Sequence, residues 1–221
     1  MAIPGYIVAV LVAYLLGSIP TGFLLGKARG IDVRTVGSGN IGATNVSRAL
    51  GRPAGAFVLL ADVLKGWLAV AVVAKLAADW LHLAPGPQTQ DLTVCAGLAA
   101  ILGHNYTCWL HFKGGKGIAT SAGVLLALVP WSLLIILGVW IIVFALTRYV
   151  SLASICASVA LPFAVAVTNE AKSKTMIVVA AAMAGLAIYK HRANIRRLLN
   201  GTETRFGGRK SETAQAPHQA G

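Results

Sequence analysis

Acidic residues are scarce in this chain: 7 Asp and Glu stand among 221 residues, against 19 Lys and Arg. Charge of either sign makes up only 12% of the residues, about half of what a soluble domain uses to coat its surface. A water-exposed globular domain is thereby excluded. Cysteine is limited to Cys95, Cys108 and Cys156. The number is odd and there is no Cys-x-x-Cys, so neither a disulfide framework nor a thiolate metal centre is indicated. All three lie in or beside apolar segments and read as small buried hydrophobes. No His, Cys, Asp and Glu cluster has ligand spacing, so no metal is expected, and no organic cofactor either. The Walker A spacing and Gly-x-Ser-x-Gly are absent, which argues against nucleotide hydrolysis and a hydrolase nucleophile elbow.

What remains is apolar. Hydrophobic residues make up 57% of the chain and mean hydropathy is +0.73. The composition specifies an all-α integral membrane protein. A single polytopic domain is expected over 1–203, because no long polar linker divides it. The polar stretch 204–221 is expected to be a disordered cytoplasmic tail. The apolar N-terminus has no preceding positive charge and reads as a first span, not a removable signal.

Seven apolar segments fit transmembrane helices: 4–27, 53–79, 91–110, 117–129, 131–147, 152–168 and 174–190. Pro130 separates the short fourth from the fifth; one kinked helix over 117–147 would give six crossings. Charge decides between them. With seven crossings and the N-terminus outside, fifteen of the 19 basic residues fall inside, including Arg209 and Lys210. Lys172 and Lys174 fall outside, and Lys65 and Lys75 are embedded. Six crossings would move a basic cluster outside, so the positive-inside rule selects seven. It also accounts for the net charge of +12 without nucleic acid. The C-terminal basic stretch faces anionic lipid heads or an anionic substrate instead.

This topology brings two glycine-rich polar segments to the cytoplasmic face. The first is Gly37-Ser38-Gly39-Asn40-Ile41-Gly42-Ala43-Thr44-Asn45, followed by Arg48. The second is Lys113-Gly114-Gly115-Lys116-Gly117, with a helix expected to start near Ile118. Glycine lets backbone N–H groups approach an anion closely. Lysine and a helix N-terminus add positive charge, and Arg48 can grip phosphate with two bonds. Each motif has a plainer explanation. A basic Gly-rich turn is often only a turn, and Thr44 reads equally as a helix cap. The fragment 41–50 is too short to span and suits an interfacial helix. Asp62 and Lys65, at i and i+3 inside a span, pair on one helix face; the pair reads as functional or as a packing device. His104 near a span end is more often structural, and His191-Arg192-Ala193-Asn194 suits either a lipid anchor or part of an anion site. Glu203 reads as a counter-ion for the arginines.

In this order the segments closely resemble the bacterial acyl-phosphate:glycerol-3-phosphate acyltransferase (PlsY) family. The resemblance rests on Gly17-Ser-Ile-Pro-Thr-Gly22, the 37–45 segment, Asp62-Val-Leu-Lys-Gly66, Gly103-His104, Phe112–Thr120 and His191–Glu203. It covers nearly the whole chain except the tail. After Gly103-His104 the resembled family usually carries a proline near the position of Thr107. The resemblance implies a multi-pass enzyme of the bacterial inner membrane with its site facing the cytoplasm. It would move a fatty acyl group from acyl phosphate to the 1-hydroxyl of glycerol 3-phosphate, giving lysophosphatidic acid and phosphate. An enzyme that makes acyl phosphate would act upstream. Ser38 and Arg48 match essential family residues, and Gly114, Gly115, Lys116 and Gly117 its glycerol-phosphate loop. His191 and Asn194 match residues important for activity, and Glu203 one tied to structural integrity. The His-x-x-x-x-Asp dyad of another glycerolipid acyltransferase class is absent: Pro87, Trp109, Lys116 and Arg196 stand five residues after His82, His104, His111 and His191. Two other classes fit some of these features. A transporter of phosphorylated anions would use Asp62 and Lys65, but no internal repeat is visible. A non-catalytic lipid anchor would use the basic C-terminus, but leaves the Ser, Asn and Thr of the first segment without a role.

Overall fold

The computed structural model describes residues 2–168 and 174–207. Every regular element among them is helical. Helices α1 (Ala2–Ser18) and α2 (Thr21–Ala28) divide what the sequence presents as one span. The break falls at Ile19-Pro20, where proline has no N–H to continue the ladder. A short amphipathic α3 (Ala43–Leu50) follows the first glycine-rich segment, as expected of an interfacial helix. Its N-cap is Gly42, so Thr44 is not the cap the sequence allowed. The second span runs as α4 (Arg52–Leu68), a π-helical segment over Ala69–Ala74 and α5 (Lys75–Trp80).

Helix α6 (Pro87–Asn105) starts before, and ends five residues short of, the 91–110 segment read from hydropathy. Its end is fixed by capping bonds, which hydropathy does not register. A single 3₁₀ turn over Cys108–Leu110 leads to the second glycine-rich segment, and α7 (Ile118–Leu128) begins where the sequence places it. Val129-Pro130 separates α7 from α8 (Pro130–Thr147). Then come α9 (Val150–Thr168), α10 (Lys174–Lys190) and α11 (Arg192–Leu199), the last bent 59° from α10.

Four stretches among the described residues are long and apolar enough to cross a bilayer: Ile3–Ala28, Arg52–Trp80, Pro130–Thr147 and Val150–Thr168. The bent α10–α11 pair makes a fifth if taken as one span. Large apolar side chains such as Leu60, Trp131, Ile142 and Val167 point outward, the inverse of a soluble fold and as a lipid solvent requires. Contrary to the expectation of buried cysteines, Cys95 faces outward and Cys108 and Cys156 are half-buried.

Helices approach closely where small residues meet. A Cβ on Gly66 or Gly123 would strike the backbone of Thr120 or Val63 across the α4–α7 contact, and Gly17 and Gly103 do the same between α1 and α6. In lipid such backbone contact replaces the hydrophobic drive that water would supply. Three apolar clusters result, and α4 threads them: Val58 belongs to one, while Ala69 and Val70, just beyond the helix, belong to the other two. Asp62 and Lys65 lie between, at the junction. Thr204–Phe206, at the start of the expected tail, are held in place. Phe206 N–H donates to the Arg148 carbonyl and its ring meets Phe144 edge-on. Residues 208–221 of that tail, with Arg209 and Lys210, and the loop residue Lys172 lie outside the described residues.

Candidate active site

The polar motifs converge on two adjoining cavities. The larger, about 610 Å³, has Ser38, Arg48, Lys116, His191, Asn194 and Glu203 at its polar end. It continues between the helices along Leu59, Leu125, Ile136, Trp140, Leu161 and Met183. The smaller, about 230 Å³, is lined by Gly114, Gly115, Lys190, Arg192, Ala193 and Arg197. Ser38, Asn40, Lys116 and Asn194 border both.

The first glycine-rich segment is shaped by side-chain amides. Asn45 is buried, accepts the Ser38 N–H at 2.8 Å and donates to the Val33 and Val36 carbonyls at 2.8 and 3.0 Å. Asn40 Oδ1 accepts the Gly42 N–H at 2.8 Å. Gly37 and Gly39 take positive φ of 60° and 68°, a conformation that favours glycine. They shape the turn and border neither cavity, whereas Gly42, Thr44 and Asn45 border the larger.

The second segment is shaped by the backbone. Gly114 N–H donates to the Asn105 carbonyl at 3.3 Å and Gly115 N–H to the His104 carbonyl at 3.0 Å. These two amides therefore cap the C-terminus of α6, a use the sequence reading did not assign them. Orphan N–H groups remain at the start of α7, where Gly117 supplies no side-chain cap. Gly117, Ile118 and Ala119 border the larger cavity there. Lys113 is exposed and borders neither cavity.

A chain of hydrogen bonds links the charged groups. Lys116 Nζ donates to Asn194 Oδ1 at 2.5 Å, and Asn194 Nδ2 to Glu203 Oε1 at 2.6 Å. Glu203 also accepts from Ser151 at 2.7 Å and from Arg197 Nε at 2.7 Å. Arg48 donates to the Thr204 carbonyl at 3.2 Å. Burial would raise the Glu203 carboxyl, but these donors hold it below its ordinary range. Burial lowers Lys116 to about 8, with Arg197, Arg48 and Lys190 adding to the effect against the pull of Glu203. Burial, then the Lys116 charge, lowers His191 to about 4. Its Nδ1 lies 2.7 Å from the Ala187 carbonyl. A carbonyl only accepts, so the proton sits on Nδ1 and Nε2 keeps its lone pair.

Beneath the second segment lies a buried cluster. Lys65 Nζ pairs with Asp62 Oδ1 at 2.8 Å and donates to the Ile19 carbonyl at 2.8 Å, at the α1–α2 break. His104 Nδ1 lies 3.6 Å from the same Asp62 oxygen. Lys190 and Arg197 belong to the basic stretch that the sequence sets against lipid heads or an anionic substrate, and Arg197 pairs with Glu203, whereas Ser151 is not offered by the sequence. Arg197 has a signal, a basic residue six before Glu203; a lone serine in an apolar helix has none. Thr107 is fully buried and donates to the Ser18 carbonyl at 2.6 Å. It fastens the loop to the end of α1.

The arrangement suits two anions, one small and polar, the other carrying a long apolar group. Comparison with known proteins gives the family. A family model described as glycerol-3-phosphate acyltransferase matches residues 7–201. The chain is 49% identical over 201 residues to the glycerol-3-phosphate acyltransferase of Geotalea daltonii, covering 90% of this chain and 97% of the relative. It is 49% identical over 197 residues to that of Geobacter sulfurreducens, covering 88% and 94%. A crystal structure of PlsY, an integral membrane glycerol 3-phosphate acyltransferase in its glycerol 3-phosphate form, superposes with a TM-score of 0.80 at 42% identity, covering 91% of this chain and 96% of that one. Its lysophosphatidic acid form gives 0.78 at 41% identity, covering 91% and 95%. The chain belongs to the glycerol-3-phosphate acyltransferase family and is an integral membrane protein of the PlsY type.

Proposed function

We propose that this member of the family transfers a fatty acyl group from acyl phosphate to the 1-hydroxyl of glycerol 3-phosphate. The products are lysophosphatidic acid and inorganic phosphate. One observation carries the reading: a short basic cavity and a long, largely apolar one share Ser38, Asn40, Lys116 and Asn194. Glycerol 3-phosphate suits the short cavity, where Lys116, Lys190, Arg192 and Arg197 face its phosphate. The acyl chain suits the long one, with its phosphate between Arg48 and the free amides of α7. The shared residues then border the point where hydroxyl and acyl carbon meet.

The glycerol oxygen attacks the acyl carbon and the bond from that carbon to the phosphate oxygen breaks. Acyl phosphate is a mixed anhydride with a good leaving group, so no covalent enzyme intermediate is required. Lys116, Arg48 and the α7 amides stabilise the charge that develops, and the two cavities supply proximity. The hydroxyl proton passes to a substrate phosphate, whose second pKa near 6 exceeds the value of about 4 for His191. Glu203 is committed to Ser151, Asn194 and Arg197. Ser38 acts as a hydrogen-bond donor. A trapped acyl-Ser38 under single-turnover conditions would overturn this part.

Seven crossings, an outer N-terminus and a cytoplasmic site in the inner membrane complete the proposal. They are supported by the gathering of Arg48, Lys116, Arg148, Lys190 and Arg197 at one end of the bundle. An upstream enzyme must then supply acyl phosphate at that face. The test incubates the purified protein with glycerol 3-phosphate and either palmitoyl phosphate or palmitoyl-CoA, and measures lysophosphatidic acid and phosphate. Product from palmitoyl phosphate alone is expected. Product from palmitoyl-CoA alone would overturn the donor. Product from neither, with glycerol 3-phosphate flux into proteoliposomes, would replace the enzyme by a transporter.

A further inference from the structure

We propose that His104, braced by the Asp62–Lys65 pair, is a positioning residue for the Gly114–Gly117 loop. Its ring sets the height of Gly115 and so the aim of Lys116. The inference rests on the two-cavity reading above.

The loop is moulded on the last two residues of α6. A Cβ on Gly115 would overlap Nε2 of His104, and one on Gly114 would overlap the His104 carbonyl oxygen. A Cβ on Gly117 would come within 2.6 Å of Asn105 Oδ1. Gly115 thus meets His104 twice, through its N–H on the carbonyl and through its α-carbon over the ring. His104 is only 5% exposed. One ring nitrogen faces Asp62 and the other lies against Gly115, at the edge of the larger cavity that His104 and Asp62 also border. That geometry makes His104 a spacer between the buried pair and the loop. Asp62 Oδ1 also accepts from Thr21 at 3.4 Å. The support therefore reaches across the α1–α2 break into α4 and α6 before it meets the loop.

A spacer predicts compensation. Gly115→Ala should displace the loop and raise KM for glycerol 3-phosphate by about a hundredfold, as an ångström-scale misplacement can. His104→Ala should raise the same KM by about tenfold through lost support, and leave KM for acyl phosphate within about twofold. The double variant Gly115→Ala/His104→Ala frees the space the new methyl needs. It should recover most of the loss caused by Gly115→Ala. Thermal stabilisation by glycerol 3-phosphate gives a second readout: present in wild type, lost in Gly115→Ala and regained in the double variant. If Gly115→Ala does not fold, the double variant must still yield a folded, monodisperse protein. A double variant no better than the product of the two singles would overturn the inference, as would an unchanged glycerol 3-phosphate KM in His104→Ala. If wild type is inactive yet stabilised by glycerol 3-phosphate, and the same rescue is seen, the acyl-transfer reading fails and the positioning role stands.

Discussion

The two glycine-rich segments look alike in composition and are built on opposite principles. In the first, the amides of Asn45 and Asn40 knit the turn from within, and Gly37 and Gly39 serve its left-handed backbone. In the second, no loop side chain organises the turn. Gly114 and Gly115 donate their N–H groups to α6, and absence of a Cβ lets the loop sit on His104 and Asn105. The first segment should therefore fail through its polar side chains and the second through added volume. One residue of the second reaches out from this backbone frame. Lys116 touches Asn194 and borders both cavities.

Replacing that residue should have the largest effect. Lys116→Met removes a charge aimed at the reacting phosphates and should lower kcat/KM by about 10²–10³-fold, the usual cost of one electrostatic stabiliser. The same lysine sets the alkaline limb. With its value lowered to about 8, the charged form prevails at pH 7 and is lost as pH rises through 8. The kcat/KM profile should fall there. The kcat profile should fall at higher pH, because a bound phosphate dianion favours the charged amine. In Lys116→Arg, whatever its absolute rate, the limb near pH 8 should vanish.

The first segment is tested by Asn45→Ala. It removes the three hydrogen bonds by which this buried side chain holds the turn, at about 1 kcal/mol each. A lower Tm and an activity loss of about tenfold through Ser38 are expected. Hydrogen exchange should quicken at the Ser38 amide and stay unchanged at Gly114 and Gly115. Faster exchange in both segments would show them to be one unit and not two independently built turns.

Much of this site stands out in the sequence because polar residues are few in an apolar chain. Ser38, Arg48, Lys116, His191, Asn194 and Glu203 all border the larger cavity, and α7 begins next to its lysine. Hidden from the sequence is how hydrogen bonds are allotted. Pattern reading assigns Gly114 and Gly115 amides to an anion, because it does not see that α6 ends five residues early and leaves carbonyls to be capped. It lists Asn45 among phosphate ligands, while the fold turns its amide toward Val33 and Val36. Asp62 and Lys65 are ambiguous until the Ile19 carbonyl is found on Lys65. The α1–α2 break was open to reading, since Pro20 is a local signal. Hydropathy averaged over a span length conceals it.

A smaller effect is expected at Glu203, which reaches Lys116 through Asn194. Glu203 holds Asn194, Ser151 and Arg197, and its charge favours the protonated form of Lys116. Glu203→Gln keeps the size and removes the charge, so the alkaline limb should move to lower pH. A shift of one unit would leave about half of Lys116 charged at pH 7 and cost about twofold in kcat/KM there. The shifted limb, read from pH profiles of the two proteins, is the sharper observable. An unmoved limb would assign the alkaline limb to a group other than Lys116.

The smallest effect belongs to the residue most like Lys116. Lys113 lies three positions earlier in the same motif, and charge alone would make the two equivalent. Its side chain is exposed and borders neither cavity, and its N–H is bound to the Leu110 carbonyl, which alanine preserves. Lys113→Ala should change kcat/KM by less than about twofold, the range of an ordinary surface substitution. A loss approaching that of Lys116→Met would mean that the loop acts as a diffuse basic patch. Its power would then come from summed charge, and the backbone frame that separates the second segment from the first would not matter.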